Sequence, residues 1–381
     1  MKAWQIGDIQ VRLPIVQGGM GVAISLSGLA SAVANEGGVG VISAAAIGMT
    51  EPDYMKNFRE ANKRALRKEI RKARRLSGGI IGVNIMMALT DHEELVKTAI
   101  EENADLIIMG AGLPLRIPAM IAEAGLKTNR TKLAVKVSSA KAARLIFQYW
   151  SNKYKLIPDA VVVEGPMAGG HLGFKKEELA GPVVPLHTLI EETVQEVHGF
   201  EKQFGTKVPV IAAGGIYTGK DIYDIIQAGA TAVKMATRFV PTEECDASLA
   251  FKESYLASTA TDIVIINSPV GLPGRVISNN FVGEILKGNT KPFKCVWNCL
   301  IPCNYKEAPY CIAQVLFNAA RGNMSQGFAF AGTNAYRATK IQLVSEVIGE
   351  LKREYNMAAA EKQVSEKQNN TSGLQFIQAV A

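Results

Sequence analysis

The chain has 381 residues, 48% of them hydrophobic and 20% charged, a globular balance that excludes global disorder. The net charge is +7, but residues 56–75 alone hold ten Lys/Arg against two Glu, a net of +8 that leaves the remainder at −1. A nucleic-acid binder would spread basic residues over a surface with readers among them, so that class is set aside. No run reaches the ~18 apolar residues of a membrane span, and MKAWQIGDIQ lacks a signal-peptide core, so no membrane partner and a cytoplasmic location are expected.

In chain order, short runs rich in Val, Ile and Ala alternate with longer amphipathic stretches over the first 240 residues. The runs are LPIVQG (13–18), VGVIS (39–43), IIGVNIM (80–86), DLIIMGAG (105–112), KLAVKVSS (132–139), DAVVVEG (159–165), VPVIAAGG (208–215) and AVKMATRF (232–239). Continuous rather than alternating apolar runs indicate strands buried on both faces of a parallel sheet. Helices are expected at 27–36, 53–76, 91–103, 117–125, 140–155, 186–203, 219–229 and 243–257. Gly37-Gly38 and Gly78-Gly79 end the first two, and Asp91 with Glu94 reads as a capping box. Eight strand–helix units predict a closed α/β barrel, the (β/α)₈ or TIM barrel, over residues 1–257.

Two regions break the alternation. Residues 166–185 form a long Gly/Pro-rich loop, a length that usually marks a binding loop or lid. Residues 258–355 are expected to be a mainly helical appendage over the barrel mouth, with a final helix at 338–355, and residues 356–381 a loosely held tail. Cys295, Cys299 and Cys303 are spaced by four, with Cys311 eight further on. This fits neither a zinc nor a ferredoxin pattern, and Pro302 opposes a regular helix there. Buried apolar thiols are the expectation, with no metal site; an iron–sulfur site and redox thiols are the alternatives.

Barrel active sites lie at the C-terminal ends of the strands. Gln17-Gly18-Gly19-Met20 ends the first run: the glycines permit close approach and Met20 can lie on a flat ring. Gly214 and Gly215 end the seventh run, before Thr218-Gly219 at the next helix start; Ala236 and Thr237 end the eighth. Together they suggest a phosphate site made of backbone amides and a helix N-terminus. Asn84, Lys136 and Glu164 are polar groups in apolar strands, suited to the edges of a flavin or else to a structural polar network. His171 follows Ala168-Gly169-Gly170 in the long loop, and its ordinary pKa of ~6.5 suits proton transfer. No GxGxxG turn follows a strand, which favours a mononucleotide over a dinucleotide.

With these segments in hand, the sequence resembles the nitronate monooxygenases, once called 2-nitropropane dioxygenases, and the FMN-dependent enoyl-ACP reductases that share their fold. The matching segments are QGGMG (17–21), GVN (82–84), GAGLP (110–114), EGPMAGGHLG (164–173), AAGGI (212–216) and ATRF (236–239). The resemblance implies non-covalent FMN, with His171 catalytic, with Gly214, Gly215, Ala236 and Thr237 at its phosphate and with Met20, Asn84 and Lys136 at its ring; Gly18, Gly19, Glu164 and Gly169 are candidate cofactor contacts beside them. Met167 stands where members commonly carry Glu, and Ala236 where they often carry Gly. The expected activity is oxidation of alkyl nitronates or nitroalkanes with O₂. The alternatives are reduction of an enoyl thioester by NAD(P)H, and a barrel without catalysis that binds flavin or a partner through the basic helix. Small-molecule substrates are the expected partners, and a homo-oligomer is compatible.

Overall fold

The computed structural model describes residues 1–128 and 130–379, with side chains as far as residue 364. The chain opens with a hairpin, β1 (Trp4–Ile6) and β2 (Ile9–Val11). Barrel strands follow as β3 (Ile15–Gln17), β4 (Val39–Ser43), β5 (Ile80–Met86), β6 (Leu106–Gly110), β7 (Lys132–Val137) and β8 (Ala160–Glu164). A two-residue strand outside the barrel, β9 (Gly170–His171), comes before the last two staves, β10 (Val210–Ala213) and β11 (Ala232–Met235). Each apolar run of the sequence supplies one stave. All eight are parallel, and β11 closes the barrel on β3.

The helices around the barrel are α1 (Ser27–Asn35), α2 (Phe58–Leu76), α3 (His92–Glu101), α4 (Ile117–Glu123), α5 (Ala140–Tyr154), α6 (Lys176–Leu179) in the long loop, α7 (Leu186–Phe204), α8 (Gly219–Gln227) and α9 (Leu249–Leu256). Their apolar faces and the outward strand residues form the larger core. α1 sits so close to the sheet that a Cβ on Gly40 would lie 1.8 Å from the Ala30 carbonyl oxygen. Only glycine fits there. The inward residues form a second core, in which Val16, Val39, Leu106 and Val162 meet Trp4, Ile6 and Val11 of the hairpin. That hairpin plugs the lower end.

Residues beyond α9 comprise β12 (Ile263–Asn267), β13 (Pro273–Ile277), α10 (Asn280–Leu286), α11 (Ile312–Ala320) and α12 (Val344–Ala379). β13 pairs antiparallel with both β12 and β9, so this segment meets the long loop through a sheet. α12 returns to the barrel. Its Glu350 pairs with Arg238, and its Glu354 accepts from the Gly219 amide at 2.6 Å.

Several local expectations change. α12 starts later than expected and runs past residue 355 to Ala379; Val380 and Ala381 of the expected tail lie outside the described residues. α9 begins at Leu249, where Ser248 caps it, because residues 240–247 are taken up by turns. Asp91 precedes α3 but caps no amide. Its carboxylate turns to the buried Asn62 of α2, whose Nδ2 donates to it at 2.6 Å, and Asn62 Oδ1 in turn accepts from the Gly48 amide. The basic helix α2 is answered within the chain: Arg67 and Arg71 reach Glu102, Arg74 reaches Asp105, Arg59 reaches Glu94 and Lys68 reaches Glu51.

Candidate active site

A cavity of ≈ 210 Å³ opens at the C-terminal ends of the staves. All twelve residues singled out in the sequence line it: Gly18, Gly19, Met20, Asn84, Lys136, Glu164, Gly169, His171, Gly214, Gly215, Ala236 and Thr237. Strand alternation explains the floor. Ala134, Val162 and Ala232 point into the lumen, so Lys136, Glu164 and Lys234, two residues on, point inward one layer higher.

Lys136 and Glu164 satisfy each other, with Nζ and Oε2 at 2.6 Å. They form the structural polar pair that the sequence left open, and they still border the cavity. Lys234 is the floor residue that sequence reasoning missed. It is buried, yet makes no side-chain hydrogen bond among the described residues. Burial, then repulsion from Lys136, lowers it to about 8, while Glu164 acts in the opposite direction. One carboxylate thus faces two ammonium groups. The signal for Lys234 was present in AVKMATRF: a lysine inside an apolar run, like the Lys136 that was noticed. The Asn84 side chain also borders the cavity and has no protein hydrogen-bond partner among the described residues.

The glycines divide into two kinds. Gly214 and Gly215 have φ of +96° and +83°, conformations that suit glycine, and they bend the chain across the cavity rim. Gly18 and Gly19 are small because protein stands against them: a Cβ would come within 2.8 Å of Ala236 Cβ and 2.4 Å of Asn84 Cβ. Gly169 likewise abuts the backbone of Ala331 and Gly332. The space at these three positions is used by the fold.

The expected phosphate site keeps its backbone donors and loses its helix. At the start of α8, the Tyr217 and Thr218 amides donate to Asp221 Oδ2, and the Gly219 amide donates to Glu354. Those donors are spent on carboxylates. The amides of Gly214, Gly215, Ala236 and Thr237, by contrast, donate to no protein group among the described residues, and all four residues line the cavity. Asn334 fixes this rim from the C-terminal segment, with its Nδ2 donating to the Gly215 carbonyl at 2.7 Å. The Thr237 hydroxyl accepts from the Gly332 amide at 3.0 Å.

His171 is held from the other side. β9 carries it against Gly274 of β13, and the neighbouring Arg275 donates from Nη1 to the carbonyls of Pro166 and Ala168. The imidazole Nε2 lies 2.7 Å from Ser268 Oγ, and its ring meets Phe330 edge-on at 4.9 Å between centroids. Burial, then Lys136, pushes its pKa down to about 4, with Glu164 pulling the other way. The ring is therefore neutral at neutral pH. Ser268, Arg275, Phe330 and Asn334 escaped sequence reasoning because they reach the site through long-range pairing that no local pattern encodes.

A family model described as nitronate monooxygenase matches residues 3–354. The chain belongs to the nitronate monooxygenase family. It is therefore an enzyme of an oxidoreductase family. It is 28% identical over 281 residues to a Mycobacterium tuberculosis indene-carboxyl-CoA dehydrogenase, covering 74% of this chain and 67% of that one. It is 27% identical over 304 residues to a probable nitronate monooxygenase of Staphylococcus aureus, covering 73% and 78%. Among solved structures it is similar to FabK of Thermotoga maritima, with a TM-score of 0.72 and 27% identity over 93% of this chain and 96% of that one. A nitroalkane oxidase of Streptomyces ansochromogenes shares the fold, with a TM-score of 0.69 and 21% identity over 92% and 98%. Family membership accords with the barrel and with the strand-end placement of the cavity. Among the described residues no helix is long and apolar enough to cross a membrane.

Proposed function

We propose that the chain is an FMN-dependent nitronate monooxygenase, oxidising alkyl nitronates or nitroalkanes with O₂. The observation that carries this reading is a neutral imidazole bordering a cavity whose floor bears more positive than negative charge. A neutral His171 can accept the α-proton of a nitroalkane, and the anion left behind is stabilised by Lys136 and Lys234. As that anion forms, the imidazolium gains a partner, which raises the ring's hold on the proton.

The residues present fit FMN. The free amides of Gly214, Gly215, Ala236 and Thr237 would hold one phosphate, and the unpartnered Asn84 amide and Lys234 ammonium would meet the polar edges of the ring, with Met20 against it. Bound FMN would supply the electron acceptor for the substrate anion, with O₂ as the final oxidant. The Phe330 ring and the loop anchored by Arg275 keep bulk water from His171.

The enoyl-thioester alternative draws on the M. tuberculosis relative, which is named for a carboxyl-CoA. There the histidine would have to give a proton to carbon, whereas its burial favours the neutral ring. Anaerobic titration of the purified yellow protein tests the choice. Bleaching of the flavin by nitronate is expected. Bleaching by NADH or NADPH alone would move the assignment to the reductase, and colourless protein that takes up no FMN would remove the cofactor.

A further inference from the structure

Four of the five cysteines converge away from the active site. Cys295, Cys299, Cys303 and Cys311 all line one small cavity of ≈ 10 Å³. The segment that carries them is not helical before α11; it is pinned to the loop after β5. The Thr90 amide donates to the Cys299 carbonyl at 3.1 Å, the Ile301 amide to the Ala88 carbonyl at 2.8 Å, and Leu89 and Leu300 form a bridge. Cys311 stands at the N-cap of α11.

Cys299 belongs to the hydrophobic core, and Cys303 and Cys311 pack against it around the same cavity. The Asn298 amide donates to Cys295 Sγ at 3.4 Å, and the Ala313 and Gln314 amides of α11 are directed at Cys311. All four remain free thiols. Cys245 stands apart from the other four, donating to the Ile24 carbonyl at 3.4 Å.

The ligand class follows from donor type and spread. The donors are four sulfurs. A tetrahedral zinc site would draw them to about 3.8 Å from one another. Among the described residues no three candidate ligands converge on a single ion. A polynuclear centre suits a wider spread, because each thiolate then binds a different metal atom. We propose that Cys295, Cys299, Cys303 and Cys311 ligate a [4Fe–4S] cluster, one thiolate to each iron. Each thiol gives its proton to solvent as its Fe–S bond forms; four sulfides and four irons, two ferrous and two ferric, come from outside the chain. The site adjoins the active-site cavity: Leu316, which lines that cavity, lies five residues along α11 from Cys311, about 7.5 Å of helix rise.

The full-length protein, purified without oxygen, tests this by iron and acid-labile sulfide analysis, whether or not it turns over nitronate. About four of each per chain are expected, with a paramagnetic signal after dithionite reduction. If the protein emerges without iron, it is incubated anaerobically with ferric iron, sulfide and excess thiol, which supplies the two electrons each cluster needs, and analysed again. Cys299→Ser and Cys311→Ser should lose most of the iron while keeping wild-type circular dichroism, and Cys245→Ser should keep it. No iron after reconstitution overturns the proposal, as do about one zinc per chain in its place, cysteine pairs recovered as disulfides, or full iron in both ligand variants.

Discussion

At the lower end of the barrel lumen, Trp4, Ile6 and Val11 pack on Val39, Leu106 and Val162, and Lys132 at the start of its strand pairs with Asp8 of the hairpin. At the upper end, two residues beyond the inward Ala134, Val162 and Ala232, stand Lys136, Glu164 and Lys234. The inward alternation is identical at both ends. What differs is whether the layer above is filled by protein. The hairpin closes the bottom, so apolar residues there bury fully. The top is left open, so charged groups border a cavity and await a ligand. Stability and chemistry are thereby assigned to opposite ends of one set of strands, and substitutions at each end should report on one property only.

The sharpest break of that division is at the top. His171→Asn should keep the fold and the flavin while losing about 10²–10⁴-fold in turnover of neutral nitroalkane. Steady-state rates with preformed nitronate should fall less, because its proton has already gone. Equal, near-wild-type rates with both substrates would remove His171 from the chemistry. At the bottom, Leu106→Ala should lower unfolding stability by about 2–5 kcal/mol in denaturant titrations, with flavin bound per folded chain unchanged. Loss of flavin from the folded variant would mean that the two ends are coupled.

Lys234→Met tests the floor. Removing the unpartnered ammonium should lower the reduction potential of bound flavin by on the order of 30 mV, about 1.4 kcal/mol for two electrons. Lys234 is charged below its pKa of about 8 and neutral above it. The gap between wild type and variant should therefore be full near pH 7 and narrow as pH rises through 8; a potentiometric series in which the gap stays constant or widens would show that Lys234 does not face the ring. The smallest effect belongs outside the barrel. Replacing Lys68, Arg71, Lys72 and Arg75 of α2 with Gln should leave turnover unchanged and shift stability by about 1 kcal/mol or less, since these groups are exposed and such pairs contribute little. A large loss of turnover would tie α2 to the site.

The staves were legible because a strand buried on both faces must be continuously apolar, and that pattern is local. The cavity's strand-end residues followed from the barrel rule. What stayed hidden depended on partners distant in sequence. Asp91 and Glu94 match a capping box, but Asn62 on another helix claims the Asp91 carboxylate. Thr218-Gly219 opens a helix as expected, but Glu354 takes the amide that a phosphate would need. The cysteines had an unfamiliar spacing, and only the fold brings them around one space.

The pairing of β9 with β13 sets an order of assembly. A growing chain released after the eighth stave would already contain the four rim amides and the floor lysines. It would lack Gly274, which pairs with His171, and Arg275, which clamps the loop before it. It would also lack Asn334, which steadies the rim, and Glu354, which caps α8. Under the proposed function, the groups assigned to binding are thus made first and the imidazole assigned to proton transfer is fixed last, so a truncated or nicked chain could capture a ligand without the means to turn it over.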